Sequence, residues 1–433
     1  MGFFFILPLC LFFSKVRFLL EFCLALFSFV LYFFISNYDC SFFFFSLNYL
    51  TWLMIMFSIF VCIFMFLSNF SFSFFESSYN FCFLIMIMLF SLLIIFISDS
   101  MFLFYIFFEF SILPIFYVIC GMGFNFERLD SAYYMLFYTL IFSLPFMVFL
   151  FSIYMEVKTL SFSFSPFIYF SSWDYVFIFI SVFTFFVKVP SFFFHIWLPK
   201  AHVEAPVSGS MILAGVLLKL GVYGMLVFFP FMVFQLFEVS DFFFIWGLWG
   251  SLISSFVCLM QVDLKKIVAF MSVMHMGLII SSLFSFLEFS FWGIVLMMIS
   301  HGFISSVMFY SLNCFYERFF SRSIFLIKGS LLLMPNLFFW MIIIISMNIS
   351  VPPSLGFFSE LVLMFSILSV GSELFLFLFL MLFMNSILSF YYLVSMTHGF
   401  DLFNCFIFPM NLKETLIVSS HCIPVFFVFL FFI

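Results

Sequence analysis

Apolar runs of about 20 residues recur from one end of this chain to the other, and in lipid such runs leave the backbone one solution. Hydrocarbon offers no water to the peptide groups, so every N–H and C=O must be satisfied within the segment, which an α-helix does and an open sheet does not. A transmembrane barrel would show alternating segments of about 10 residues, whereas these runs are continuous. With 67% hydrophobic and 7% charged residues over 433 positions, no soluble domain fits between the runs. The expected fold class is an all-α polytopic membrane protein.

The runs predict fourteen helices, near 3–14, 17–36, 45–67, 80–98, 100–121, 131–154, 173–197, 205–230, 243–261, 265–287, 290–314, 331–366, 371–397 and 413–433. Loop charge sets the orientation. Loops after odd-numbered helices hold Lys15, Arg17, Arg128, Lys200, Lys265, Lys266, Arg318, Arg322, Lys328 and Lys413, and loops after even-numbered ones hold only Lys158. By the positive-inside rule the odd loops face the cytoplasm-like side, which in a mitochondrion is the matrix.

The 91 phenylalanines have no physical selector, because Leu, Ile, Val and Phe insert with similar energies. Phe codons are T-rich, so the bias reads as drift in a T-rich genome with the bilayer tolerating the result. No Arg-rich amphipathic presequence precedes the first run, and both points fit a chain encoded in an organelle. The ten cysteines are scattered singly without a C-x-x-C, which reads as small apolar filler and not as a disulfide or iron–sulfur framework. Gly121 and Gly123 form a lone G-x-G at a helix end, where a cap is the better reading, and no Walker loop occurs.

An internal repeat organises the remainder. Val189-Pro190-Ser191, leading into Phe192 and Phe193, is echoed 162 residues later by Val351-Pro352-Pro353-Ser354, leading into Phe357 and Phe358. The same offset carries predicted helix five onto ten, six onto eleven and eight onto thirteen. Five helices per copy is an odd number, so the second copy is inverted. Inverted repeats that each hold one Pro-broken helix are the pattern of secondary transporters, whose breaks bracket an ion path. The expected divisions are 1–79 (helices 1–3), 80–230 (first repeat), 243–397 (second repeat) and 398–433 (helix 14), with helices 7 and 12 broken at Pro190 and Pro352.

Charge inside the runs carries the chemistry, since a charge at mid-bilayer costs about 2.5–3.5 kcal/mol even on the lenient insertion scale. Lys188 sits two residues before one break, Lys219 lies midway along the next run, and Glu360 follows the other break. Glu109 lies at mid-helix depth, where a lysine at about 4 Å would contribute on the order of 4 kcal/mol at an effective dielectric of 20. The bland alternative is a static brace between helices; exchanging the two charges would separate brace from switch. His275 and His301 lie in consecutive helices, so Lys219, His275, His301 and Glu360 form a candidate proton relay. Either histidine alone reads equally well as a core residue bonded to a backbone carbonyl. A metal site is disfavoured because no carboxylate or Cys shares their spacing. Structural roles are expected for His195 and His202, and none is assigned to His398 or His421.

The run HIWLPKAHVEAPVSGSMILAGVLLKLGVYGM closely resembles the signature of the antiporter-like subunits of respiratory complex I. EFSILPIFYVI, DLKKIVAFMSVMHMGLII, SHGFISSVMFY, NCFYERFFSRS and VPPSLGFFSELVLM extend the likeness in order over about residues 100–400. The resemblance implies fourteen helices, with four to eight and nine to thirteen as inverted repeats, and a proton-pumping role in the membrane arm. It implies that Glu109, Lys188, Lys219, His275, His301 and Glu360 are the relay positions, with Glu360 where some relatives carry lysine. It also implies no cofactor bound by this chain, although the whole complex uses NADH, FMN, iron–sulfur clusters and ubiquinone. The implied partners are other membrane-arm subunits, including adjacent antiporter-like ones, together with lipid. The implied location is the mitochondrial inner membrane. A subunit of a cation/proton antiporter is the alternative reading. A mere membrane scaffold leaves the buried charges unexplained.

Overall fold

The computed structural model describes residues 41–42, 45–46, 48–68, 77–123, 125–162, 175–399 and 408–427. Apart from a two-residue antiparallel pair, Ser41–Phe42 with Phe45–Ser46, its regular elements are helical. They run α1 (Tyr49–Ser68), α2 (Ser77–Ile97), α3 (Met101–Phe110), α4 (Ile112–Met122), α5 (Arg128–Val157), α6 (Tyr175–Lys188), α7 (Trp197–Glu204), α8 (Val207–Ile212), α9 (Leu218–Leu259), α10 (Leu264–Leu283), α11 (Glu288–Phe319), α12 (Ile324–Ile327), α13 (Pro335–Asn348), α14 (Leu355–Val370), α15 (Phe375–Thr397) and α16 (Leu412–Phe427). A π-helical turn, Leu213–Leu217, joins α8 to α9.

Nine helices among the described residues have the length and hydropathy of a membrane span, fewer than the fourteen expected, and three shorter apolar helices accompany them. The first two predicted spans lie outside the described residues. The shorter helices α6, α13 and α14 flank the two Pro-bearing segments, where breaks were expected. One expectation is corrected. A loop was predicted between runs 205–230 and 243–261, but α9 stays helical through Leu218–Leu259 and holds part of one membrane-length window, Val207–Met232, and all of another, Leu236–Leu259. The linking stretch FMVFQLFEVSDF contains neither the Gly nor the Asn that most often closes a helix. Pro230 sits inside this helix. The third span begins at Tyr49, not at 45, because Phe45–Ser46 is extended.

Serines within these helices satisfy themselves. Ser58, Ser91, Ser181, Ser272, Ser281 and Ser306 each donate to the carbonyl three residues back, at 2.6–2.9 Å. This local bond lets hydroxyls reside where no water reaches. Ser100 caps α3 and Ser354 caps α14 by accepting the N–H of Leu103 and Phe357.

The described residues form two compact units: those up to Lys188 with Glu204–Val233, and Val189–Val203 with those from Phe234 onward. In the first, α1 packs on α2, α2 on α3 and α4, and α5 on α6. Its centre is aromatic. Phe146, Phe185 and Phe228 form a triangle of rings 5.3–5.5 Å apart, with Phe104 5.5 Å from Phe228, edge-to-face and tilted arrangements that the ring quadrupole favours. In the second unit α11 is central, packing on α10, α13, α14 and α16. There α9 and α10 approach closely through small residues. A Cβ added to Gly247 would lie 2.8 Å from the Ser281 nitrogen, and one added to Gly277 would lie 2.7 Å from the Ser251 Cβ. Gly247/Ser251 facing Gly277/Ser281 is a small-xxx-small crossing on both helices, the contact that membrane helices use in place of a hydrophobic drive.

Candidate functional site

Two clusters of buried polar groups stand beside the two helix breaks, one in each unit. At the first, α6 ends at Lys188 and the chain turns through Val189–Phe193. Pro190 has no N–H to continue the helix, and Phe193 takes a left-handed conformation, φ 76°. Lys188, 7% exposed, reaches α3, where its Nζ lies 3.3 Å from Glu109 Oε1 and donates to the Phe108 carbonyl at 2.9 Å. The same ammonium sits 2.9 Å from the centroid of the Phe108 ring. The sequence expectation that Glu109 and Lys188 meet is matched by this geometry. Phe108 was not foreseen as their third partner. Neither carboxylate oxygen of Glu109 accepts a hydrogen bond from the described residues, so the ion pair is what offsets the burial of its charge.

Lys219 is wholly buried one residue beyond the start of α9. The π-turn before it moves the hydrogen-bond ladder by one residue, with the Leu218 N–H donating to the Leu213 carbonyl. Lys219 Nζ donates to the Ala214 carbonyl at 2.5 Å, also within that turn. Such single-turn π segments loosen backbone acceptors from the regular ladder. Nothing in the composition of LAGVL announced one.

The second break lies between α13 and α14. Ser350 there has φ 62° and donates through Oγ to the Glu360 carboxylate. His275 Nδ1 of α10 lies 3.6 Å from Glu360 Oε1, and the His275 and His301 rings are 5.5 Å apart. His275, His301, Glu360, Ser300 and Asn348 border a cavity of about 10 Å³, room for about one water. The structure therefore brings together three of the predicted relay residues and adds Ser350 and Asn348 to them.

Asn385 is a further residue that sequence reasoning missed. A helix cut by proline leaves the carbonyl four residues before it without its N–H donor, and for Pro352 that carbonyl belongs to Asn348. Asn385 Nδ2 of α15 donates to it at 3.2 Å. The signal was present: an amide inside the apolar run LMLFMNSIL is costly unless paired, and a broken helix always has a carbonyl to pair it with.

Three of the other histidines occupy packing positions. His195 stacks on Phe192, and His202 stacks on Phe309 at 4.3 Å with the rings nearly parallel. His421 Nδ1 lies 2.8 Å from the Ile417 carbonyl. Among the described residues no group of three His, Cys, Asp or Glu could hold a metal. Six cysteines lie among the described residues, five of them buried, which suits apolar filler.

Residues 98–389 match the family described as NADH:quinone oxidoreductase/Mrp antiporter, transmembrane. NADH-ubiquinone oxidoreductase chain 4 of Locusta migratoria is 43% identical over 298 residues, 68% of this chain and 66% of that one. The protein of the same name from Aedes aegypti is 39% identical over 326 residues, 74% of this chain and 72% of the other. That of Petromyzon marinus is 35% identical over 329 residues, 75% and 72% respectively. The match thus spans about two thirds to three quarters of these relatives. A chain of respiratory complex I from Thermus thermophilus has the same fold, with a TM-score of 0.85 at 18% identity over 95% of this chain and 90% of that one. The matched residues take in Glu109 and the segment around Lys188 and Lys219 as well as both breaks and the His275–Glu360 cluster. This chain belongs to the NADH:quinone oxidoreductase/Mrp antiporter membrane family.

Proposed function

We propose that this chain is a proton-translocating membrane-arm subunit of respiratory NADH:ubiquinone oxidoreductase, seated in the mitochondrial inner membrane among other membrane-arm subunits. In this reading NADH, FMN, iron–sulfur clusters and ubiquinone belong to the rest of the complex, and this chain carries protons only. The carrying observation is the pairing of each helix break with a buried carboxylate: Glu109 beside Lys188 at the first, Glu360 beside Ser350 and His275 at the second.

Breaks matter because they free backbone acceptors and admit polar groups at membrane depth, where an intact helix would offer none. While Glu109 and the Phe108 carbonyl hold the Lys188 ammonium, the lysine retains its proton. Separation removes those contacts together and lets the proton move on, through Lys219 and then the His275, His301 and Glu360 group. The domain limits 80–230 and 243–397 belong to the same proposal, as the two inverted halves of the path. The Mrp antiporter reading shares the family; the identities of 35–43% to proteins named NADH-ubiquinone oxidoreductase chain 4 favour the respiratory one.

The test is Lys219→Ala in the native complex, followed by protons moved per electron in sealed vesicles and by the quantity of assembled complex. The expected result is an assembled complex with lowered pumping. An unchanged ratio removes Lys219 from the path, and failure of the native chain to co-purify with NADH dehydrogenase activity removes the respiratory reading.

A further inference from the structure

The loop end of the second unit holds an opening that the relay does not use. A cavity of about 300 Å³ is bordered by Val262, Phe325, Lys328, Tyr391, Val394 and His398, among others. The turn before α10, α12 with the residues that follow it, and the end of α15 form it and are tied to one another. The Ile324 N–H donates to the Val262 carbonyl at 3.1 Å and the Leu264 N–H to the Arg322 carbonyl at 3.1 Å, while Ser330 Oγ donates to the Met396 carbonyl at 3.3 Å. Gly399 approaches the Lys328 stem so closely that an added Cβ would lie 2.8 Å from the Lys328 Cβ. The mouth is thus built from fixed backbone.

Basic side chains crowd this end, and most are engaged. Lys266 pairs with Asp263 at 3.1 Å and Arg318 with Glu414 at 2.7 Å, while Lys265 and Arg322 both donate to the Val203 carbonyl. Lys328 differs. Among the described residues it has no ion pair or hydrogen bond, and its Nζ lies 4.9 Å from the centroid of the Phe325 ring. A cation–π contact holds the charge in place and leaves the three N–H donors for another acceptor.

The membrane-length window ends at Thr397, so His398 sits at its edge and Tyr391 about 10 Å deeper along the helix. Phe325, Val394 and Tyr391 are 59%, 46% and 38% exposed. The opening therefore offers a cation and an imidazole at interface depth, and a largely apolar wall, with the Tyr391 ring at its deeper end, leading into the bilayer. A ligand that uses both ends carries an anion joined to a hydrocarbon chain. We propose that this opening binds an anionic phospholipid, its phosphate against Lys328 and His398 and an acyl chain along Phe325, Val394 and the ring of Tyr391. Basic pockets between helices on the positively charged side of a membrane take headgroups by this chemistry.

The inference does not depend on the relay. Native membranes holding the chain would be treated with a phosphatidylglycerol bearing a diazirine on its acyl chain, or with phosphatidylcholine bearing the same chain, then irradiated and mapped by peptide mass spectrometry. Adducts on the segments 324–334 and 388–399 should be about five-fold more abundant with phosphatidylglycerol, the factor one surface lysine contributes toward anionic lipid. Lys328→Glu should bring that labelling down to the phosphatidylcholine level. Equal labelling by the two lipids on the native chain overturns the proposal without any variant, as does unchanged labelling in Lys328→Glu. Displacement of the probe by millimolar inorganic phosphate would also overturn it, by showing a free-anion site.

Discussion

Glu109→Gln gives the most direct probe of the first cluster, because it keeps the side chain's shape and removes its charge. At 3.3 Å between Lys188 Nζ and Glu109 Oε1, an effective dielectric of 20 gives an attraction of about 5 kcal/mol, comparable to the roughly 6 kcal/mol of inserting both charges. The substitution strands the Lys188 ammonium with only the Phe108 carbonyl and ring, and removing one member of a buried pair costs about 3–5 kcal/mol. Adding Lys188→Met removes the stranded charge, so the double variant should recover most of the lost stability. Native gels report assembled complex, and quenching of a pH dye in sealed vesicles reports protons per electron. We expect Glu109→Gln to lower both, and Glu109→Gln with Lys188→Met to restore assembly but not pumping. Wild-type pumping by the double variant would show a brace and refute the switch, while unchanged assembly of Glu109→Gln would refute the electrostatic magnitude. Exchanging the two charges, the test suggested by sequence, is the weaker one. A carboxylate at 188 would face the Phe108 carbonyl and the negative face of its ring, so the reversed pair is disfavoured whichever mechanism operates.

Three further outcomes are expected. Ser350→Ala removes the hydroxyl that donates to Glu360 and leaves a buried acceptor unsatisfied, at a cost of about 1–3 kcal/mol; the complex should assemble with a reduced proton-to-electron ratio, and an unaltered ratio would exclude Ser350. Arg318 donates to Glu414 Oε2 at 2.7 Å and to the carbonyls of Cys314, Phe408 and Pro409, so Arg318→Ala should lower assembled complex on native gels, and Arg318→Lys should rescue it only in part because a single ammonium cannot span the same acceptors. Membrane-impermeant thiol labelling at a cysteine introduced at Phe320, 81% exposed, should succeed from the matrix face of sealed inner-membrane vesicles and fail from the other, as the loop charges require.

The sequence by itself determined the solvent and most of the spans, because the hydrocarbon's demand that each segment satisfy its own backbone is written in run length and polarity. Pro190 and Pro352 located both breaks for the same reason, since a missing N–H acts locally. Glu109 and Lys188 were legible as partners because each is too costly alone. Tertiary structure decided what local rules could not reach. α9 remained helical where a loop was expected, running through both Pro230 and Asp241. The π-turn before Lys219 arose in a segment whose residues also fit an ordinary helix. Phe108, Ser350 and Asn385 joined the clusters through contacts 80, 10 and 37 residues apart in the chain, and only packing reveals which buried acceptor a distant donor will meet. One proline fixes that a carbonyl is left over; the fold chooses the side chain that takes it.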